Sequence, residues 1–399
     1  MVAREKRDRL ADADEALWRT SYAGVNGLDV DLRASRQLHQ VAKARALALG
    51  FSFKPIDELL ASDNVMDIVE RVETVAQAED QVAEAKVLLG TIAVPRVTIR
   101  EALELFLTTL TVGERKGKSP DQLRKWRLPR QRAIEHFVSL CGNLPMDEID
   151  RAHARQFFEW WGKRLSPTDG SKGMKPNSAN RDLGNLRKLY RSYWSYEGQE
   201  DRRNPFRGLR FSDTDSEPTP AFSDEWVRAK IIAPDALSGL HSQAQLIVLA
   251  LIETGCRPSE IANLEPSDIH LDVEVPYISI CAKENRELKT KSSKRVIPLV
   301  GVSLYAMRQA PDGFPHYRDR GYLLSASLMK AFKSRGLFER EGQRIYSFRH
   351  AFEKRMLEAG LDYGLRCTLM GHKNNRPEYG DGGSLEFRRN ELLKIVHRC

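Results

Sequence analysis

Only two stretches of this 399-residue chain read as β-strand, 277–281 and 294–299, and a Lys-rich turn joins them. Both are short and rich in β-branched residues, whereas apolar residues elsewhere recur mainly at helical spacing. The expected fold is therefore mainly α with a small antiparallel β-sheet. A chain of 399 residues is too long for one core and should form two or three domains.

Breaks in the pattern suggest where those domains begin and end. Residues 1–95 are helical in pattern and rich in Ala, Asp, Glu and Arg. They carry no recognisable chemistry and read as an interaction or spacer domain, since the acidic stretch within 65–89 argues against DNA binding. Pro95 interrupts that pattern, and Thr98-Ile-Arg-Glu101 has the form of a capping box opening a new helix. Helical blocks at 120–141, 150–164 and 177–196 fall in a second domain, 96–212. A polar, Pro-containing linker at 213–221 leads to a third domain, 222–399. That domain begins with a helix at 243–254, whose run 246–252 should be buried. It ends with an amphipathic helix at 385–396.

Lys and Arg total 63 against 55 Asp and Glu, a net charge of +8. Moderate basicity of this kind is expected of a nucleic-acid binder, although many other soluble proteins share it. The five cysteines are scattered without a C-x-x-C pair, which suggests neither a zinc site nor a disulfide framework. With no long apolar stretch and no signal-peptide pattern, the chain reads as cytosolic with no membrane partner. Around 177–191 cations interleave with apolar residues at helical spacing, after a Gly/Ser/Lys loop. Lys172, Lys175, Arg181, Arg187, Lys188 and Arg191 are thus candidates for phosphate-backbone contact, a solvated helix face being the alternative.

The chemistry concentrates in five motifs: Gly255-Cys-Arg257-Pro-Ser-Glu260, Lys289-Thr-Lys291, Tyr346-Ser-Phe-Arg349-His350, Gly371-His372, and Tyr379 among glycines. These residue types suit attack by a tyrosine hydroxyl on a phosphodiester. Such attack adds negative charge to the non-bridging oxygens and requires a proton for the departing 5′ oxygen. Planar arginine forks answer the first need because they donate paired hydrogen bonds and stay charged. A lysine on a flexible stem, made more acidic by desolvation, can answer the second. Glycine before His372 permits a tight turn that presents the imidazole, and glycines beside Tyr379 suit a nucleophile that must swing onto DNA. Tyr363 competes as nucleophile but precedes the Gly-His pair.

In that order the motifs resemble those of the tyrosine recombinases (phage-type integrases). The resemblance covers the third domain strongly, the second loosely and the first hardly at all. It implies a multi-domain DNA clamp, with a helical core-binding domain and an α+β catalytic domain on opposite faces of the duplex. It also implies site-specific cutting and rejoining of DNA through a covalent 3′-phosphotyrosyl intermediate. By resemblance, Arg257 and Arg349 hold the scissile phosphate and Tyr379 is the nucleophile. His372 would hydrogen-bond the phosphate and the tyrosine oxygen, and Lys289, or else Lys291, would be the general acid. Glu260 is expected as structural support, and Lys294 and Arg295 at backbone phosphate or in solvent. Tyr346 stands where the family usually has histidine; it can donate to phosphate, but a pKa near ~10 makes it a poor proton shuttle at neutral pH. His350 reads as a packed support residue.

Transesterification conserves bond energy, so the resemblance implies no metal, ATP or other cofactor, and no matching motif is present. The implied partners are recombination sites on double-stranded DNA and further copies of the chain, as dimers or tetramers. The terminal helix would dock either in cis or on a neighbouring subunit. The implied setting is the bacterial cytoplasm, at the nucleoid. Two alternatives use the same scaffold: type IB topoisomerase-like relaxation and a catalytically silent DNA-binding regulator.

Overall fold

The computed structural model of the chain describes residues 32–94, 96–212, 218–283, 286–288, 290–374 and 382–397. Lys289 and Tyr379 lie outside the described residues, as does most of the expected linker. The chain packs as two compact units, Met1–Ala102 with Cys141–His153, and Leu103–Leu140 with Ala154–Cys399.

In the first unit, helices α1 (Leu32–Ala48), α2 (Val65–Ala76) and α3 (Gln81–Leu88) surround a small core of Ala42, Ala46, Val87, Leu88 and Ile92. The helical run that begins at Val65 forms two helices because Asn64 and Asp80 each cap a new N-terminus, accepting from the Asp67 and Ala83 amides. The capping box before α4 (Ile99–Leu105) is formed: Thr98 N and Oγ1 both donate to Glu101 Oε2, at 2.8 and 2.9 Å.

The second unit contains most of α5 (Pro120–Cys141) and α6 (Arg151–Leu165), and all of α7 (Pro176–Tyr196). Pro176 occupies the first helical position of α7, where its missing N–H is not needed. Phe137, Phe157 and Phe206 pack together as one aromatic group. The start of α5 is bonded to distant residues of the same unit. The Asp121 amide donates to Asp319 Oδ2 (3.0 Å), and Gln122 Nε2 to the Glu287 carbonyl (2.7 Å).

Helix α8 (Ser242–Thr254), whose Ile247, Val248, Leu251 and Ile252 are buried as expected, leads into the Gly255–Glu260 motif. A short helix, α9 (Pro258–Ile261), follows it. The sheet is antiparallel in the order β1 (Ile269–His270), β2 (Tyr277–Ile280), β3 (Arg295–Pro298). Its register aligns Ile269 with Ile278 and Ile278 with Ile297, a row of isoleucines facing the core. The mainly α fold with a small antiparallel sheet is therefore observed, with one strand beyond the two expected. Strand β1 holds only two residues, too few for an alternation signal.

Helices α10 (Gly301–Gln309), α11 (Gly321–Ser334), α12 (Ser347–Glu358), α13 (Tyr363–Met370) and α14 (Leu385–Leu393) complete the unit. The terminal helix docks in cis. Leu392 is fully buried, Arg355 Nη1 donates to the Ile395 carbonyl (2.6 Å), and Glu253 Oε1 accepts the His397 amide (2.9 Å). Among the described residues, no helix is long and apolar enough to cross a membrane.

Candidate active site

Helix α8 ends at Gly255, whose left-handed φ of 59° closes the helix. A Cβ there would lie 2.3 Å from the Phe352 ring, so both backbone and packing require glycine. The turn delivers Arg257 to the N-terminus of α9, where Glu260 Oε2 accepts the Arg257 amide at 2.8 Å. Glu260 Oε1 also accepts from Arg257 Nη1 at 2.6 Å, so one carboxylate fixes both backbone and side chain of this arginine.

Arg295 was expected at DNA phosphate or in solvent, and the structure corrects that expectation. Its side chain is only 1% exposed and grips the other side of Glu260: Nη2 donates to Oε2 at 2.8 Å and Nη1 to Oε1 at 3.3 Å. The reason is strand periodicity. Arg295 lies two residues before the buried Ile297, so both face inward, while Lys294 is exposed. Burial raises the Glu260 carboxyl pKa, but hydrogen bonding and charge from Arg295, with Arg257, outweigh it and bring the group down to about 2.

Arg349, in the first turn of α12, is 2% exposed. Its Nη1 donates to the Gly255 carbonyl (2.7 Å), and its Nη2 donates to the Met370 carbonyl and contacts His372 Nε2 (2.9 Å). A guanidinium has no lone pair to offer, so Nε2 must accept and the imidazole is neutral, protonated at Nδ1. Burial, followed by the Arg349 charge, lowers the His372 pKa, in agreement with a neutral ring. Burial also lowers the Arg349 pKa, with Arg257 and Arg295 adding to the effect against Tyr346 and Glu260.

His372 is presented by Gly371, which ends α13 in the left-handed region at φ 63°. A Cβ at Gly371 would sit 2.9 Å from Arg295 Nη1 and 3.2 Å from Ser293 Cα. Ser293 is fully buried; its Oγ lies 3.3 Å from Arg257 Nη1 and 2.9 Å from Thr290 Oγ1. The base of the Lys-rich turn is thus anchored directly to Arg257. The side chain of Lys291, like Lys289 and Tyr379, lies outside the described residues. Tyr346 and His350 are half-buried and meet edge to face, ring centroids 5.3 Å apart.

The structure therefore brings Arg257, Arg349 and His372 together and adds Arg295, Ser293 and Cys256, which sequence reasoning did not select. For Arg295, the spacing to Ile297 was a usable signal. Three guanidinium groups converge here, and among the described residues Glu260 is the one carboxylate hydrogen-bonded to any of them. Arg257 Nε is buried with no hydrogen-bond partner among the described residues. An orphaned donor beside surplus positive charge makes a receptive site for an anion.

Of the candidate DNA-contacting cations, Lys172, Lys175, Arg181 and Arg191 are exposed. Arg187 turns inward instead, donating to the carbonyls of Phe206 (3.1 Å) and Leu209 (2.8 Å). Lys188 pairs with Glu114 and lies 5.7 Å from the centre of the Phe106 ring.

Residues 230–377 match the model of the phage integrase family. Over 288 residues the chain is 25% identical to tyrosine recombinase XerA of Thermococcus onnurineus (strain NA1), covering 69% of this chain and 88% of that protein. Over 258 residues it is 23% identical to tyrosine recombinase XerA of Thermococcus kodakarensis (strain ATCC BAA-918 / JCM 12380 / KOD1), covering 60% and 86%. Among solved structures, its fold is similar to that of a lambda integrase tetramer bound to a Holliday junction. The TM-score is 0.51 at 16% identity, with 88% of this chain and 86% of that one covered.

Proposed function

The chain belongs to the phage integrase family of tyrosine recombinases through residues 230–377, and on that premise we propose that it cuts and rejoins double-stranded DNA at specific sites. The observation that carries this reading is the convergence of the Arg257, Arg295 and Arg349 guanidinium groups beside one carboxylate, Glu260, which serves the first two, with Arg257 Nε unanswered among the described residues. A scissile phosphate against Arg257 and Arg349 supplies the missing anion, and its charge grows in the pentavalent transition state beside both guanidinium groups.

In the proposed step, the Tyr379 hydroxyl attacks phosphorus, the P–O5′ bond breaks, and a 3′-phosphotyrosyl ester forms. The 5′ oxygen takes a proton from Lys289 or Lys291, whose turn is anchored at Ser293 beside Arg257. A phosphate oxygen that takes over the Arg349 donor releases neutral His372 Nε2 to accept from the tyrosine hydroxyl and take its proton as the bond to phosphorus forms. The ester keeps the bond energy, so a second 5′ hydroxyl can reverse the step without ATP.

We assign DNA backbone contact to Lys172, Lys175, Arg181 and Arg191, leaving out Arg187 and Lys188 because they are occupied within the chain. Residues 96–212 and 222–399 would close on DNA as a clamp, assembled as dimers or tetramers in a bacterial cytoplasm.

A nicked suicide substrate tests the chemistry. Wild type is expected to form a covalent adduct, and Tyr379→Phe to lose it while still binding DNA. An adduct that persists, or maps to Tyr363, refutes the nucleophile. Relaxation of supercoils by isolated monomers without strand exchange would favour the topoisomerase reading, and specific binding with no adduct the silent regulator.

A further inference from the structure

We propose that Arg295 is a positioning residue for strand cleavage: a buried guanidinium that aligns the Arg257 clamp, the base of the Lys-bearing turn and the turn presenting His372. The proposal rests on the recombinase reading above and adds a residue to its machinery.

An arginine side chain has five N–H donors in one plane. At Arg295 each is occupied. Nε donates to the Leu369 carbonyl (2.9 Å), and Nη1 to the Ser293 carbonyl (2.8 Å) and Glu260 Oε1 (3.3 Å). Nη2 donates to Glu260 Oε2 (2.8 Å) and Cys256 Sγ (3.4 Å). No donor is left for a DNA phosphate, whereas Arg257 keeps a buried Nε without a partner among the described residues. The two arginines share Glu260 but have different roles: one is open to an anion and the other is closed.

The acceptors belong to three separate pieces of chain. Cys256 and Glu260 flank Arg257, Ser293 closes the Lys-rich turn, and Leu369 lies in the last turn of α13, just before Gly371-His372. Each piece carries one of the groups that must meet at the phosphate. The space around Gly371 supports this placement independently, since a Cβ there would sit 2.9 Å from Arg295 Nη1 and 3.2 Å from its Cδ. Glycine there lets the His372 turn lie directly on the guanidinium. Lysine could not replace Arg295, because three donors on one nitrogen cannot reach acceptors spread around a planar fork.

The test is single-turnover cleavage of a suicide substrate by full-length Arg295→Met and Arg295→Lys, with DNA affinity and thermal unfolding measured alongside. Both variants are expected to cleave about 100–1,000-fold more slowly, as when a preorganised catalytic donor is lost, while DNA affinity stays within about twofold. A second substrate carries sulfur in place of the leaving 5′ oxygen and so needs no proton donor. Because displacing Arg295 disturbs the lysine turn as well as the clamp, this substrate should recover part of the loss.

Normal cleavage by Arg295→Lys would overturn the proposal. So would a loss that sulfur does not relieve, or one accompanied by equal loss of DNA binding and folded protein. If wild type itself forms no adduct, the recombinase reading fails, which is distinguishable from failure of Arg295 alone.

Discussion

Arg71 in the N-terminal unit and Arg295 in the catalytic region are both buried, each side chain 1% exposed, but their surroundings balance charge differently. Arg71 donates to Asp67 (3.0 Å) and to the carbonyls of Leu88 (2.9 Å) and Ser52 (2.8 Å), with the Phe51 ring centroid 4.9 Å away. Asp67 also accepts from Lys54 (2.9 Å), which with Arg71 holds its pKa below the usual carboxylate value. That network holds one guanidinium on its carboxylate, and the second cation there, Lys54, is partly exposed to solvent. Around Arg295, by contrast, two more arginines converge and Glu260 must serve two of the three. Buried arginine is thus structural where a single guanidinium meets its carboxylate, and poised for chemistry where several guanidinium groups converge beside one.

The strongest way to break this comparison is to remove the poised arginines. Arg257→Ala and Arg349→Ala should each cost about 3–4 kcal/mol in the cleavage step, read as the rate of adduct formation. Near-normal turnover by either variant would mean that the surplus charge is not used on phosphate. Arg71→Met should act in the opposite way. It leaves the Ser52 and Leu88 carbonyls without their donor, at about 1–3 kcal/mol of stability by urea unfolding, while adduct formation per folded molecule stays unchanged. A cleavage defect as large as that of Arg257→Ala would bring the N-terminal unit into the chemistry.

The contrast also explains what could be read from the sequence. Helix α5, the Thr98–Glu101 capping box and the glycines at 255 and 371 were legible because their signals are local: periodicity, a cap three residues away, a left-handed turn. Arg257, Arg349 and His372 stood out because their motifs are short and ordered. The position of Arg295 was obscured by the run of lysines before it, which reads as a solvated turn although the Arg295–Ile297 spacing points inward. Arg187 could not be placed from its own helix, because its acceptors, Phe206 and Leu209, lie beyond the end of α7. Nor could Glu253, in the apolar run of α8, be seen to meet Arg355 of α12 at 2.9 Å. Such pairings are fixed by tertiary packing, which local patterns do not encode.

The smallest expected effect concerns protonation and sharpens the same comparison. Burial and the Arg349 charge, supplemented by Arg257 and Arg295, lower the His372 pKa from its ordinary 6.5, while Glu353 opposes them. The imidazole therefore stays neutral below pH 6.5 in the folded protein without DNA. Any stability this contributes is present above the unfolded value and is lost as pH falls through the folded one. The proposed step uses neutral His372, so kcat/KM for cleavage, which reports the free enzyme, should hold its plateau to below pH 6.5. Bound phosphate adds the anion that the cluster lacks, which favours the imidazolium and moves the acid limb of kcat to higher pH. The two limbs should therefore separate, with the free-enzyme limb the more acidic. Coincident limbs, or a free-enzyme limb at or above 6.5, would mean that the cluster's positive charge does not reach His372.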